Sequence, residues 1–212
     1  MAGREPVRRF TWSRGQKHRP GLEFLVSTGR HHGYESLAEA RLLLMLDIAG
    51  ELTDVLSQPL RLRFAAMDGP RDHIPDFFAE TRSGRWLIDV RPAGQIKPRD
   101  EVAFAATAEV AQLLGWGYVV VTGWRRFVAA TVDALSAQRR PLSDPLAMAE
   151  ALLDAAAEGP RSFGDLAGGT RAPAVARAFL LHLLWHRHLG MDLDIPLSDH
   201  TLIAAAGQSE AR

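Results

Sequence analysis

Two aspartates of this chain, Asp76 and Asp89, have the type and spacing of a metal-binding pair. Asp76 follows Pro75, and Asp89 interrupts an apolar run, WLIDV, at residues 86–90. Both lie in strand-like segments joined by a short Gly-containing connection, so we expect them to face each other or to lie on a near diagonal. Like charges facing each other destabilise a sheet unless a cation offsets them, and Mg²⁺ or Mn²⁺ prefers carboxylate oxygens. The pair therefore predicts a divalent-metal site.

Glu39 is a third carboxylate that could reach the same ion. It lies in the first turn of a predicted helix at 36–50, which must pack on the sheet to bury its leucines. The S-x-x-E pattern at 36–39 is also a capping box, in which Glu39 would satisfy backbone N–H groups at the start of the helix. Both interpretations stay open at the level of the sequence.

A mixed α/β core is predicted to position these carboxylates. The expected elements, in chain order, are a helix at 36–50, strands at 58–66, 73–80 and 85–92, a helix at 100–115 and a strand at 118–122, with a turn at 67–72. A helix between two strands forms a crossover unit, so the last strand should run parallel to its predecessor. The order α-β-β-β-α-β describes a mixed sheet flanked by helices.

Glu39, Pro75-Asp76 and Asp89-x-Arg91, in this order of elements, resemble the PD-(D/E)xK nuclease pattern. Within that superfamily the chain looks like the TnsA endonuclease subunit of heteromeric transposases. The resemblance covers roughly residues 34–204 and is carried by YESLAEARLLLMLD, SQP, HIPDF, WLIDVRP and DLDIPLSDHTLI. It implies a restriction-endonuclease-like core that cuts double-stranded DNA at the 5′ sides of transposon ends. It also implies two partners, an integrase-like transposase subunit and an AAA+ ATPase subunit.

The resemblance suggests how the residues would share the chemistry. Asp76, Asp89 and Glu39, with the carbonyl of Val90, would hold Mg²⁺ or Mn²⁺. Arg91 stands where the family has lysine, so this position departs from the pattern. The difference matters because arginine stays charged and cannot act as a general base. Arg91 can still stabilise negative charge on the phosphate.

Three further residues are expected to support this site. Lys97 could supply the missing ammonium group from a shifted position; otherwise the site is slow or silent. Gln58 and His73 lie next to the predicted site and could orient its ligands.

The C-terminal part is predicted to form a separate, winged-helix-like domain. Its expected elements are helices at 145–159, 159–169 and 172–190 and an extended segment at 191–202. The predicted division is a basic N-terminal arm at 1–30, a nuclease-like domain at 31–140 and a partner-binding domain at 141–212. The histidines of the last helix, His182, His186 and His188, are expected to be packing or surface residues.

Composition limits the partners and the compartment. The 212 residues carry no net charge, so strong DNA binding by the chain alone is not expected, although the arm at 1–30 is basic. There is no cysteine, which is compatible with a reducing cytoplasm, and no signal or membrane-spanning segment is apparent. Three classes remain open: a metal-dependent endonuclease subunit, a catalytically silent scaffold of the same fold, and a DNA-binding regulator.

Overall fold

The chain is divided into two compact units, one ending at Gly123 and the other beginning at Trp124. The computed structural model describes Val7 and residues 20–206. The division lies before the predicted boundary at 140, because a helix at Arg126–Ser136 packs on the long helix of the second unit. Most of the predicted basic arm, residues 1–6 and 8–19, lies outside the described residues.

The first unit is built on a four-stranded mixed sheet, which confirms the predicted α/β core. Its elements are β1 (Gly21–Leu25), β2 (Arg30–Tyr34), α1 (Leu37–Ala49), β3 (Leu52–Ser57), β4 (Leu62–Ala66), β5 (Gly69–His73), β6 (Phe77–Thr81), β7 (Gly84–Val90), α2 (Pro98–Leu113) and β8 (Gly117–Val121). The strand order in the main sheet is β3-β6-β7-β8. The pairs β3–β6 and β6–β7 are antiparallel, and β7–β8 is parallel as predicted from the crossover through α2.

The first strand of the sheet is not the predicted one. Residues 52–57 form it, whereas the predicted strand at 58–66 contributes β4, which pairs with β5 in a separate two-stranded hairpin. The predicted turn at 67–72 is confined to residues 67–68, because the residues after it pair with β4. A register shift between Leu52 and Asp54 breaks the two-residue alternation in β3. Because of that irregularity, hydrophobic periodicity does not predict the strand.

An apolar layer fixes α2 on the main sheet. Phe78 of β6, Leu87 of β7 and Ala111 of α2 are almost fully buried and contact one another. They are joined by the partly buried Leu60, Trp116 and Tyr118. This layer holds α2, the crossover helix, on the sheet face to which Leu87 and Asp89 of β7 project.

Residues 21–34 form an antiparallel hairpin rather than the end of an extended basic arm. Asp47, buried in the last turn of α1, holds the turn of this hairpin. Its Oδ2 accepts a hydrogen bond from the Val26 N–H at 2.9 Å, and its Oδ1 accepts from the Ser27 N–H at 2.7 Å and the Ser27 hydroxyl at 2.5 Å. The side chain therefore fixes the hairpin to the end of α1 opposite Glu39.

The second unit is a helical bundle with a small antiparallel sheet. Its elements are α3 (Arg126–Ser136), α4 (Met148–Ala157), β9 (Arg161–Ser162), α5 (Phe163–Gly168), α6 (Pro173–Trp185), β10 (Leu189–Gly190) and β11 (Leu202–Ala205). The three helices predicted after residue 144 are present, but α3 was not predicted. The sheet order is β10-β11-β9, so only the end of the predicted extended segment is a strand.

The histidines of the second unit have structural contacts. One ring nitrogen of His182 lies 2.7 Å from the carbonyl oxygen of Gln138, and one of His186 lies 3.0 Å from that of Arg139. Each ring therefore donates to the segment that follows α3 and ties it to α6.

Among residues 20–206, no helix has both the length and the apolar character that crossing a membrane requires.

Replacing Asp47 with alanine should destabilise the first unit by about 2–4 kcal/mol, because it removes the charged acceptor of three hydrogen bonds from Val26 and Ser27. Urea unfolding measures the change. Asp68→Ala, at an exposed aspartate of the β4–β5 hairpin, is the matched control and should cost much less than Asp47→Ala. Equal losses in the two variants would contradict the proposed role of Asp47.

Candidate metal centre

Gln58 and Asp76, each one residue outside a strand (β3 and β6), lie in a row with Asp89 of β7. Ser57 pairs with Phe77, and Phe77 pairs with Ile88. One step beyond these pairs, the register sets Gln58 opposite Asp76 and Asp76 opposite Asp89. The backbone N–H of Gln58 donates to the carbonyl oxygen of Asp76 at 2.8 Å, which extends the ladder to this row. Residues directly opposite in a sheet project to the same face, so the structure brings the two predicted aspartates together.

Asp89 is held in place by two donors. Its side chain is buried, and its carboxylate oxygens lie 3.0 and 3.1 Å from Nε2 of His73. The hydroxyl of Tyr118 donates to Oδ2 at 2.7 Å. The predicted supporting residue His73 thus contacts Asp89 directly. The ring of Phe104 packs edge-on against the His73 ring.

Tyr118 is a site residue that the sequence analysis missed. The parallel register pairs Leu87 with Tyr118 and Asp89 with Val120, so Tyr118 shares a face with Asp89. The signal was present in YVVVT, where a tyrosine begins a strand predicted to lie beside β7. Burial and the neighbouring Asp89 raise the pKa of Tyr118 far above its usual value, so the hydroxyl keeps its proton and remains a donor.

Asp76 is the carboxylate whose ionisation this arrangement opposes most clearly. Burial raises its pKa to about 7, and the charges of Asp89 and Glu39 act in the same direction. A hydrogen bond from the Val90 N–H to Oδ2, at 2.7 Å, and the charge of Arg91 act against the shift. A bound cation would remove the repulsion that keeps this proton in place.

Glu39 adopts the capping-box arrangement. Its Oε2 accepts from the N–H of Glu35 at 2.8 Å, and its Oε1 accepts from the hydroxyl of Ser36 at 2.9 Å. The Glu39 N–H donates in return to the Ser36 hydroxyl at 3.2 Å. The charge of Glu39 is nevertheless close enough to raise the pKa of Asp76, so the same residue caps α1 and adds negative potential to the site.

The two predicted cations, Arg91 and Lys97, lie at the exposed edge of the centre. Arg91 is exposed, although its backbone N–H extends the pairing of β7 by donating to Val121 at 3.0 Å. Its Nε lies 4.0 Å from a carboxylate oxygen of Asp100. The same carboxylate oxygen accepts from the Lys97 N–H at 3.1 Å, and the Lys97 side chain is exposed. Asp100 thus links the two segments that carry the cations.

Gln58 is buried in an unusual backbone conformation. Its φ of 49° is in the left-handed region, where few residues other than glycine occur. Only 7% of the residue is exposed, and Oε1 has no hydrogen-bond partner among the described residues. A buried amide oxygen without a donor is unfavourable, so this atom indicates that something else satisfies it.

The oxygen atoms near the ends of β3, β6 and β7 are of the kinds that hard divalent cations take as ligands. Across residues 20–206, no three His, Cys, Asp or Glu side chains are grouped closely enough to form a complete ligand set by themselves. The row does offer carboxylate oxygens from Asp76 and Asp89, the backbone carbonyl of Val90 and the amide oxygen of Gln58. Mg²⁺ and Mn²⁺ take oxygen ligands of these kinds and retain several waters.

Comparison with known proteins found no matching family model and no matching curated sequence. The geometry of the centre therefore carries the functional assignment.

Asp76→Asn should stabilise the metal-free protein at pH 8. Because the pKa is about 7 in the folded state, the folded protein keeps this proton at pH values where the unfolded chain has lost it. The stability of the wild type therefore falls as pH rises from about 4 to about 7 and does not recover above that range. Thermal unfolding in EDTA should show the variant more stable than the wild type by about 1–3 kcal/mol at pH 8, with the smallest difference near pH 4.

The matched control for this comparison is Asp72→Asn, an exposed aspartate whose pKa is lowered by Arg63. It should not stabilise the protein at pH 8. A lower stability of Asp76→Asn than of the wild type at that pH would show that the ionised carboxylate is not under repulsion.

Proposed function

We propose that the chain is a metal-dependent DNA endonuclease subunit of the TnsA-like type, with a restriction-endonuclease-like core in its first unit. It would hydrolyse phosphodiester bonds at the 5′ sides of transposon ends, in the cytoplasm, beside an integrase-like transposase subunit and an AAA+ ATPase subunit. The observation that carries the proposal is the placement of Asp76 directly opposite Asp89, where burial, together with the charge of Asp89, raises the pKa of Asp76.

The centre would divide the chemistry between ligands and positioning residues. Asp76, Asp89 and the Val90 carbonyl would hold Mg²⁺ or Mn²⁺, which supplies acidification of a water molecule and polarisation of the phosphate. His73 and Tyr118 orient Asp89 through hydrogen bonds to its carboxylate. Such bonds to ligands are worth about 10–100-fold in metal affinity or activity.

Positive charge at the exposed edge would engage the DNA backbone. Arg91 and Lys97 are exposed beside the row and can neutralise phosphate oxygens. Both side chains are exposed, and they are proposed to bind the DNA backbone and stabilise charge on the phosphate. The second unit, proposed to be winged-helix-like, would contact the partner subunits.

A catalytically silent scaffold is the second candidate function. Two observations favour it: arginine stands at the lysine position of the family pattern, and both Glu39 oxygens are hydrogen bonded at the start of α1. Such a chain would retain its DNA and subunit contacts without turnover. Cleavage by the purified chain distinguishes the two candidates.

Nicking of supercoiled plasmid DNA in Mg²⁺ or Mn²⁺ tests the proposed activity, with the chain alone and with its transposase and ATPase partners. Asp76→Ala and Asp89→Ala should each lower the single-turnover rate by more than about 100-fold, because each removes a charged ligand. Glu51→Ala is the matched control, since Glu51 is an exposed carboxylate just before the opposite end of β3. Metal-independent nicking, or nicking that survives both aspartate changes, would refute the assignment.

Arg91→Lys should raise the nicking rate by about tenfold, because lysine is the residue of the nuclease pattern at this position and its compact ammonium group can orient the attacking water. Arg85→Lys, at an exposed arginine near the start of β7, should leave the rate unchanged. A rate for Arg91→Lys equal to or below that of the wild type would show that this position contributes charge alone.

A further inference from the structure

The buried amide oxygen of Gln58 does not behave like that of a residue that only orients a metal ligand. A residue that only orients a ligand makes a hydrogen bond to it, as His73 and Tyr118 do to Asp89. The side-chain oxygen of Gln58 makes no such bond among the described residues, although the residue is 7% exposed. The oxygen can accept a hydrogen bond or bind a cation, and the centre is where a cation is expected.

The backbone brings Gln58 to the carboxylates. Its N–H donates to the carbonyl of Asp76 at 2.8 Å, and its own carbonyl accepts from the Val7 N–H at 3.0 Å. These two bonds fix the left-handed conformation at the end of β3. The chain thus maintains an unfavourable backbone conformation at the position directly opposite Asp76, which is the pattern expected of a functional residue.

Several carboxylate oxygens in and beside the centre already accept hydrogen bonds. Asp76 uses Oδ2 for the Val90 N–H, and its Oδ1 has no hydrogen bond within the part of the chain that is described. The oxygens of Glu39, the predicted third ligand, accept hydrogen bonds at the start of α1. A carboxylate moved from that cap into the row would leave the Glu35 N–H without its acceptor.

We propose that Oε1 of Gln58 is a direct ligand of the divalent cation, together with Asp76 and Asp89, in the place expected for Glu39. This inference rests on the proposed metal-dependent function. An amide oxygen completes the ligand set without adding a third negative charge to two carboxylates that already repel each other. Oxygen ligands of this kind favour Mg²⁺ and Mn²⁺ over softer metals.

Mn²⁺ binding to the full chain at pH 8, followed by loss of the free-ion electron paramagnetic resonance signal, tests the proposal without measuring cleavage. Gln58→Asn withdraws the oxygen by one methylene and suits a left-handed backbone, because asparagine is enriched there. It should bind Mn²⁺ at least about tenfold more weakly than the wild type. The matched control is Gln112→Asn, at an exposed glutamine of α2, which should bind like the wild type.

A second variant keeps the test informative if Gln58→Asn unfolds. Gln58→Glu retains the reach of the side chain and adds a charge, so it should bind Mn²⁺ at least as tightly as the wild type at pH 8. Unfolding of each variant in EDTA reports its folding independently of metal.

The outcomes separate this inference from the proposed function. If the wild type binds Mn²⁺ and loses binding with Asp76→Ala, but folded Gln58→Asn binds equally well, Gln58 is not a ligand and the endonuclease assignment stands. Weaker binding by Gln58→Glu than by the wild type also overturns the ligand role. If the wild type does not bind Mn²⁺ at millimolar concentration, the proposed metal function fails and the Gln58 inference fails with it.

Discussion

Repulsion between two carboxylates set directly opposite each other in a sheet is the constraint on which the candidate centre depends. The ladders from β3 to β6 and from β6 to β7 continue by one residue into the row of Gln58, Asp76 and Asp89. Strand pairing sets Asp76 opposite Asp89, and burial together with the charge of Asp89 raises the pKa of Asp76 to about 7. A sheet that served only stability would gain from an apolar residue at either aspartate position. A bound ligand that carries positive charge, as proposed, would offset the repulsion within this pair.

The residues around the row fix the positions of its carboxylate groups without neutralising their charge. Tyr118 and His73 donate to Asp89, and the Val90 N–H donates to Asp76. These bonds hold the oxygens in position before any ion binds, which is the property that a precise metal centre requires. Glu39 adds negative potential from the cap of α1, so one residue contributes both to the helix start and to the electrostatics of the centre.

The sequence predicted Asp76 opposite Asp89 or on a near diagonal to it, because two-residue periodicity and a short connection leave few registers for β6 and β7; the register of the structure is the direct pairing. It also predicted the parallel pairing of β7 with β8, since a helix-length crossover permits little else. It did not predict β3, where a register irregularity removes the alternation, or the site role of Tyr118, which depends on the register between parallel strands. The N-terminal hairpin escaped prediction because Asp47, far along the chain, supplies the contacts that fix its turn.

Anomalous diffraction from crystals of the full chain soaked in MnCl₂ would show directly whether Asp76 and Asp89 share an ion. We expect one strong peak about 2.2 Å from oxygens of Asp76 and Asp89, at the ends of β6 and β7. A well-diffracting crystal with strong peaks only at other carboxylates, and none at this row, would contradict it.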